Sequence, residues 1–327
     1  MKTNYHVYNQ SFLTPLLQGF SKSGANINTT ASKSLIKKID FEREGAYIPM
    51  SILYEFLINL SEDHDVNNLA NEFYMQMNFN ELGEYGEFIS QCNDMLTVIL
   101  DGIRYESIFQ TNTRMNLEVK GPMTRFSQMH IDPNSKGREF AEDIAFIMAL
   151  KGFKMVLGKD WNPKILHVPR TSVNWIDRLI DVRKVNITYS NPYYAWDFDS
   201  KWLYSKNHTT SKDVAAPLIS NSTTSERIIK ILDSFKTGYF PTLVDFSDFF
   251  NVSQRTVVRS LQQEGLKYSA LLERSLFKKS LEMINDESIS INEISDSIGY
   301  ANAQNFIRAF KKWTNTTPNE YRKLLIA

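Results

Sequence analysis

"INEISDSIGYANAQNFIRAFKKW", residues 291–313, decides the fold. Ser290 stands just before it and Glu293 three residues on, the spacing of a capping box that starts a helix. Gly299 follows, a residue free to take the positive φ of a helix C-terminus. A second run of helical period then begins. At 100° per residue, Phe306, Ala309, Phe310 and Trp313 fall on one stripe, and Gln304, Arg308 and Lys311 on the opposite one. A short helix, a tight turn and an amphipathic second helix make a helix-turn-helix. In "TNTTPNEYR", residues 314–322, Thr317 and Glu320 are spaced as another capping box, and Pro318 sits at a first helical position. The Thr-Pro pair therefore begins a last helix.

The plan occurs twice. "LVDFSDFFNVSQRTVVRSLQQ" starts 48 residues upstream at Leu243, with Thr242 and Asp245 as its cap and Asn251 at its turn. Val257 and Leu261 face a core; Arg255, Arg259 and Gln262 lie opposite. One polar outer face is ordinary for a surface helix. Two coincident stripes of guanidinium and amide groups without a carboxylate are suited to base edges and phosphates. The chain has 37 basic and 37 acidic residues, so any attraction for nucleic acid must come from clustering. Bases do cluster here: Arg255, Arg259, Lys267, Arg274, Lys278 and Lys279 against Glu264 and Glu273, then Arg308, Lys311, Lys312, Arg322 and Lys323 against Glu320. Asp245, Asp248, Glu293 and Asp296 collect in the leading helices.

The run S-x-R-T-V-x-R-x-L (Ser253–Leu261), the lead I-x-x-I-S-x-x-I-G-Y, then F-x-R-A-F-K-K-W and the closing P-x-x-Y-R resemble the DNA-binding domain of the AraC/XylS family of bacterial transcription regulators. Ser247 and Ser295 stand where that family usually has alanine, and Asn251 and Asn315 where glycine is frequent. The resemblance implies a linker helix through Leu271, Leu272, Ser275, Leu276, Lys279, Leu281 and Ile284. About 17 residues would span roughly 25 Å, setting two recognition helices into successive major grooves of double-stranded DNA, about 34 Å apart. Carried over residue by residue, it implies base contacts from Arg255, Val258, Arg259, Asn302, Ala303, Gln304, Asn305 and Arg308. Phosphate contacts fall to Ser253, Lys311 and Lys312. One monomer would read a bipartite half-site. RNA polymerase is the implied protein partner, and activation the commoner mode.

Upstream, a chain of 327 residues at 42% hydrophobic has material for a second core. Helical stretches ("SILYEFLINLSE") mix with extended ones ("MNLEVKG", "KILHVPR", "VNITYS"), an α+β pattern. Ser, Thr and Asn crowd "SKNHTTSKDVAAPLISNSTTSE". The expected organisation is thus an α+β regulatory domain over 1–204, a linker over 205–224, and an all-α domain over 225–327 with two helix-turn-helix units joined by a linker helix. The first domain faintly resembles the N-terminal domain of the OruR-like, arabinose-binding-like branch, which implies effector sensing or homodimerisation without naming a ligand.

Other chemistry finds little support. Tyr193, Tyr194, Trp196, Phe198 and Trp202 read as a half-buried edge strand's packing, and Trp161 as a turn anchor. His6, His64, His130, His167 and His208 have no metal-ligand spacing. Cys92, the single cysteine, lies in "SQCNDM" with no adjacent base to activate it, unlike the Pro-Cys-His-Arg setting of repair methyltransferases joined to such domains. No phosphate loop, Gly-x-Ser-x-Gly or His-Glu-x-x-His is present, so neither enzyme activity nor a cofactor is expected. "DIAFIMALKGFKMVLG" reads as an amphipathic core helix, no membrane span is expected, and "MKTNYHVYNQSFL" lacks an apolar leader. The expectation is a cytoplasmic regulator, nucleoid-associated when DNA-bound. Two alternatives stay open: a regulator governed by a protein partner or by abundance, without a small ligand, and an enzyme carrying a DNA-binding appendage.

Overall fold

The computed structural model describes residues 5–326 except 10–12, 23, 42, 44, 65–72, 76–77, 80–82, 132–135, 174, 208–213, 215 and 217–222. His208 and most of the expected linker lie outside the described residues. The chain divides into two compact units. Asn4–Lys37 joins Ile48–Ser220 in one; Lys38–Tyr47 joins Asn221–Ala327 in the other.

The first unit is α+β. Its five-stranded sheet runs β3 (Thr113–Lys120), β4 (Met123–His130), β7 (Tyr194–Asp199), β5 (Ile165–His167), β6 (Asn186–Thr188). Only β5 and β6 pair in parallel. Gly121 at φ +59° opens the two-residue turn from β3 to β4, where a primed turn needs a positive φ. Strands β1 (Val7–Asn9) and β2 (Tyr47–Pro49) pair separately. Helices α1 (Leu13–Lys22), α2 (Ile27–Ser32), α3 (Met50–Asp63), α4 (Gly83–Ser90), α5 (Met95–Phe109) and α6 (Arg138–Leu157) complete it.

Two expectations change here. Helix α6 buries 13 of its 20 residues, Glu142 and Asp143 included. It is therefore covered nearly all round, and its charges survive burial only by pairing: Arg170 meets Asp143 and Arg138 meets Glu142 at 3.1 Å. Strand β7 is no edge, since β4 and β5 flank it. Its Tyr194, Trp196 and Phe198 are buried, with Phe146 and Phe153 of α6 meeting Trp196 at centroid distances of 5.4 and 5.1 Å. Trp161 is buried as well, 5.3 Å from Phe153.

The second unit's chain from 223 onward is helical: α7 (Thr224–Asp233), α8 (Leu243–Phe249), α9 (Gln254–Gln262), α10 (Tyr268–Ile284), α11 (Ile291–Ser297), α12 (Ala303–Thr314) and α13 (Pro318–Ile326). Reciprocal capping boxes start α7, α8 and α11 at Thr223/Glu226, Thr242/Asp245 and Ser290/Glu293. Thr317 and Glu320 exchange the same pair of bonds before α13. Asn251 (φ +49°), Gly299 (φ +81°) and Asn315 (φ +60°) hold the left-handed turns. Asn tolerates that conformation where most side chains clash.

Candidate nucleic-acid interface

Each helix-turn-helix is fixed by its own core. In the first, Phe246 of α8, Val257 and Leu261 of α9 and Leu271 of α10 are buried. In the second, Ile284, Ile294, Ile298, Phe306 and Phe310 form one buried cluster with Phe277, Trp313 and Tyr321 against it. Ser247 and Ser295 are also buried. Ser247 donates to the Val244 carbonyl at 2.8 Å, whereas Ser295 Oγ has no hydrogen-bond partner among the described residues.

Burying one stripe turns the other outward. On α9, Arg255, Arg259 and Gln262 are exposed and Val258 is half-buried; on α12, Gln304, Arg308, Lys311 and Lys312 are exposed and Ala303 and Asn305 half-buried. Neither helix contains an acidic residue. Among the described residues, the side chains of Arg255, Arg259 and Gln304 make no hydrogen bond or ion pair. Arg308 donates to Asn305 Oδ1 one turn away. Lys312 pairs with Glu273 at 3.5 Å, an exposed contact of small energy.

Two expected contacts already have duties at helix starts. Asn302 caps α12, its Oδ1 accepting from Asn305 N at 2.9 Å, which leaves its amide donors free. Ser253 caps α9 through Thr256 N at 3.1 Å. Each still lies at a helix N-terminus, where backbone N–H groups favour a phosphate.

The basic cluster read from sequence shrinks. Lys279 is 3% exposed and donates to the Phe235 carbonyl; burial pulls its ammonium down to about 8. Arg322 donates to the carbonyls of Ile284 (2.9 Å) and Ile289 (2.7 Å), tying the last helix to the second core. Lys278 pairs with Asp233 at 2.7 Å. These three serve the scaffold. Part of the acid sorting has a local cause too, because Asp245 and Glu293 are the third residues of capping boxes. Glu264 accepts from the N–H groups of Thr224 (2.8 Å) and Ser225 (3.1 Å), filling the donors of α7 that its own box leaves open. Burial opposes that carboxylate, but hydrogen bonds from Ser225 and Thr224 hold it below its usual range.

In the sheet unit, a cleft of about 410 Å³ lies over Leu57, Phe140, Trp175, Asp143 and Arg170. Arg170 and the Tyr194 hydroxyl both donate to Asp143. Cys92 is buried; burial first and Asp101 second push its thiol up to about 12, far from a nucleophilic thiolate. His167 hydrogen-bonds Thr188 at 2.8 Å and Asp197 at 3.2 Å, while His130 is buried beside Asn112 at 3.2 Å and is pulled down to about 3 by that burial.

This geometry has relatives. The family model described as a helix-turn-helix domain matches residues 246–324. The HTH-type transcriptional regulator VqsM of Pseudomonas aeruginosa is 32% identical over 97 residues, 30% of each chain. The HTH-type transcriptional activator CsvR of Escherichia coli is 34% identical over 80 residues, 24% of this chain and 30% of its own. The chain spans less than a third of the length of these relatives. Among solved structures, the transcriptional regulator CdpR of Pseudomonas aeruginosa aligns over 91% of this chain and 96% of its own, at 16% identity and a TM-score of 0.43. Residues 246–324 thus match a helix-turn-helix domain, joined here to an α+β unit. No helix among the described residues is long and apolar enough to cross a membrane.

Proposed function

We propose that the chain is a sequence-specific transcription regulator that binds double-stranded DNA through α9 and α12 together. One observation carries this reading: both helices leave a carboxylate-free face of guanidinium and amide groups outward, and a single 17-residue helix, α10, runs between them. Arg255, Val258, Arg259, Ala303, Gln304, Asn305 and Arg308 read bases, with the Asn302 amide beside them. Ser253, Lys311 and Lys312 hold phosphates. Relatives named as activators favour activation as the mode; RNA polymerase is the protein partner proposed for it, and the cytoplasm its place.

The sheet unit modulates this binding, by homodimerisation or by a small effector. The cleft over Trp175 and Arg170 has the volume and mixed apolar and charged lining of a small-molecule site. A metabolite that raises the melting temperature saturably would support an effector there. A sheet unit indifferent to metabolites but shifted by another protein would favour control by a partner.

The test of the central reading is selection of bound fragments from genomic DNA, followed by sequencing. A bipartite motif with elements about one helical turn apart is expected; salt-sensitive binding without any motif refutes it.

A further inference from the structure

The segment Lys38–Tyr47 lies in sequence between two stretches of the sheet unit, yet it packs as part of the helical unit. Its backbone makes a short antiparallel ladder with the chain leaving α7. Ile39 bridges Phe235, Asp40 N donates to the Ser234 carbonyl at 2.7 Å, and Lys236 N donates to the Lys38 carbonyl at 2.7 Å. Ile39 and Ala46 are buried. Lys230 of α7 lies over the Tyr47 ring, 5.0 Å from its centre.

Arg43 gives this strap its direction. Its Nη1 donates to Glu282 Oε2 at 2.7 Å, and its Nη2 lies 3.9 Å from Asp233 Oδ2. Asp233 ends α7, which packs against α9 of the first helix-turn-helix and against α10, and also accepts from Ser275 (2.8 Å) and Lys278 (2.7 Å) of α10. Glu282 lies two residues before Ile284, which belongs to the second helix-turn-helix core. One guanidinium therefore joins the end of the helix that packs on the first reading unit to the stretch of α10 that enters the second. A planar fork can bond Glu282 while keeping its second arm within ion-pair range of Asp233, and a lysine's single ammonium cannot.

We propose that Arg43 is a positioning residue for DNA recognition: it reaches from a segment threaded out of the sheet unit and sets the placement of one helix-turn-helix relative to the other. It touches no base. Its effect falls on operators that engage both recognition helices and spares those that engage one. Because the strap continues on either side into the sheet unit's chain, an event there that draws on residues 38–47 would be felt at this joint.

The inference rests on the two-helix reading above, and the experiment separates the two. Full-length wild type, Arg43→Ala, Arg43→Lys and Glu282→Gln are titrated against a bipartite operator recovered by the selection and against the same DNA with one element scrambled. Wild type must prefer the bipartite operator; if it does not, the two-helix reading fails and this proposal with it. Given that preference, Arg43→Ala and Glu282→Gln should each lower bipartite affinity about five- to tenfold, the lower end of coupling between distant sites. Binding to the scrambled DNA should change less than about twofold, and Arg43→Lys should recover part of the loss. An equal loss on both DNAs would show a merely structural role, and unchanged bipartite affinity would show no role; either overturns the proposal while leaving the two-helix reading intact.

Discussion

Phe310→Ala puts the second core under direct load. The ring is fully buried, and four aromatic neighbours surround it: Tyr321 at 5.4 Å, Phe306 at 5.6 Å, Phe277 at 6.0 Å and Trp313 at 6.3 Å between centroids. Those neighbours come from α13, α12 and α10, so the cavity would open where three helices meet. A Phe→Ala change in a core costs about 3–5 kcal/mol, and loss of edge-to-face geometry places this site at the upper end. Hydrogen exchange followed by mass spectrometry reads the effect locally. At 1.4 kcal/mol per factor of ten, exchange of Ala303–Thr314 amides should rise by at least about a hundredfold. Peptides from Gln254–Gln262 should change little, because their core rests on Phe246, Val257 and Leu261. A rise below about tenfold on α12 would refute the argument, as would an equal rise on both helices.

Three further outcomes follow from the same geometry. Arg308→Ala should cost about 1–3 kcal/mol on specific DNA and relax preference at one base position, whereas Lys312→Ala should weaken all sequences alike and lower the salt slope by about one unit; matched binding profiles for the two variants would remove Arg308 from the base-reading set. Ser295→Ala should raise stability by about 1 kcal/mol in urea unfolding, because the hydroxyl is buried without a partner, and a loss would show that an unseen water satisfies it. For Lys279, whose pKa falls from 10.5 to about 8, both states are charged below pH 8 and burial works against folding. As pH rises toward 10.5 the folded state gives up its proton first. Stability of wild type relative to Lys279→Met should therefore climb by about 3 kcal/mol between those limits, and parallel curves would contradict it.

What could be read from sequence was what is decided locally. The boxes at Thr242/Asp245, Ser290/Glu293 and Thr317/Glu320 are bonds between residues three apart, and the stripes of α9 and α12 depend only on the pitch of one helix. The left-handed turns at Asn251 and Asn315 follow likewise from one residue's tolerance. Strand order is different: whether Trp196 sits at an edge or an interior depends on chain some 70 residues away reaching one side and β5 the other. Helix α6 escaped a simple face assignment for the same reason, being covered from several directions.

Charge shows the limit most sharply. A lysine in a helix reads as exposed until something covers it, and the charges that act on buried Lys279 include Asp40 and Arg43, well over 200 residues earlier in the chain. Arg322 reads as one more base of the cluster until the carbonyls of Ile284 and Ile289 claim it. Counting bases along the repeat therefore overstates the field toward DNA, and the basic charges left at the surface are the ones the two recognition stripes carry, with Lys267, Arg274 and Lys323 beside them and Lys278 exposed but paired with Asp233. The salt slope of specific binding should track those residues alone. A slope that fell on replacing Lys279 would mean the buried ammonium is not buried when DNA is bound, and that the α7 to α10 joint opens in recognition.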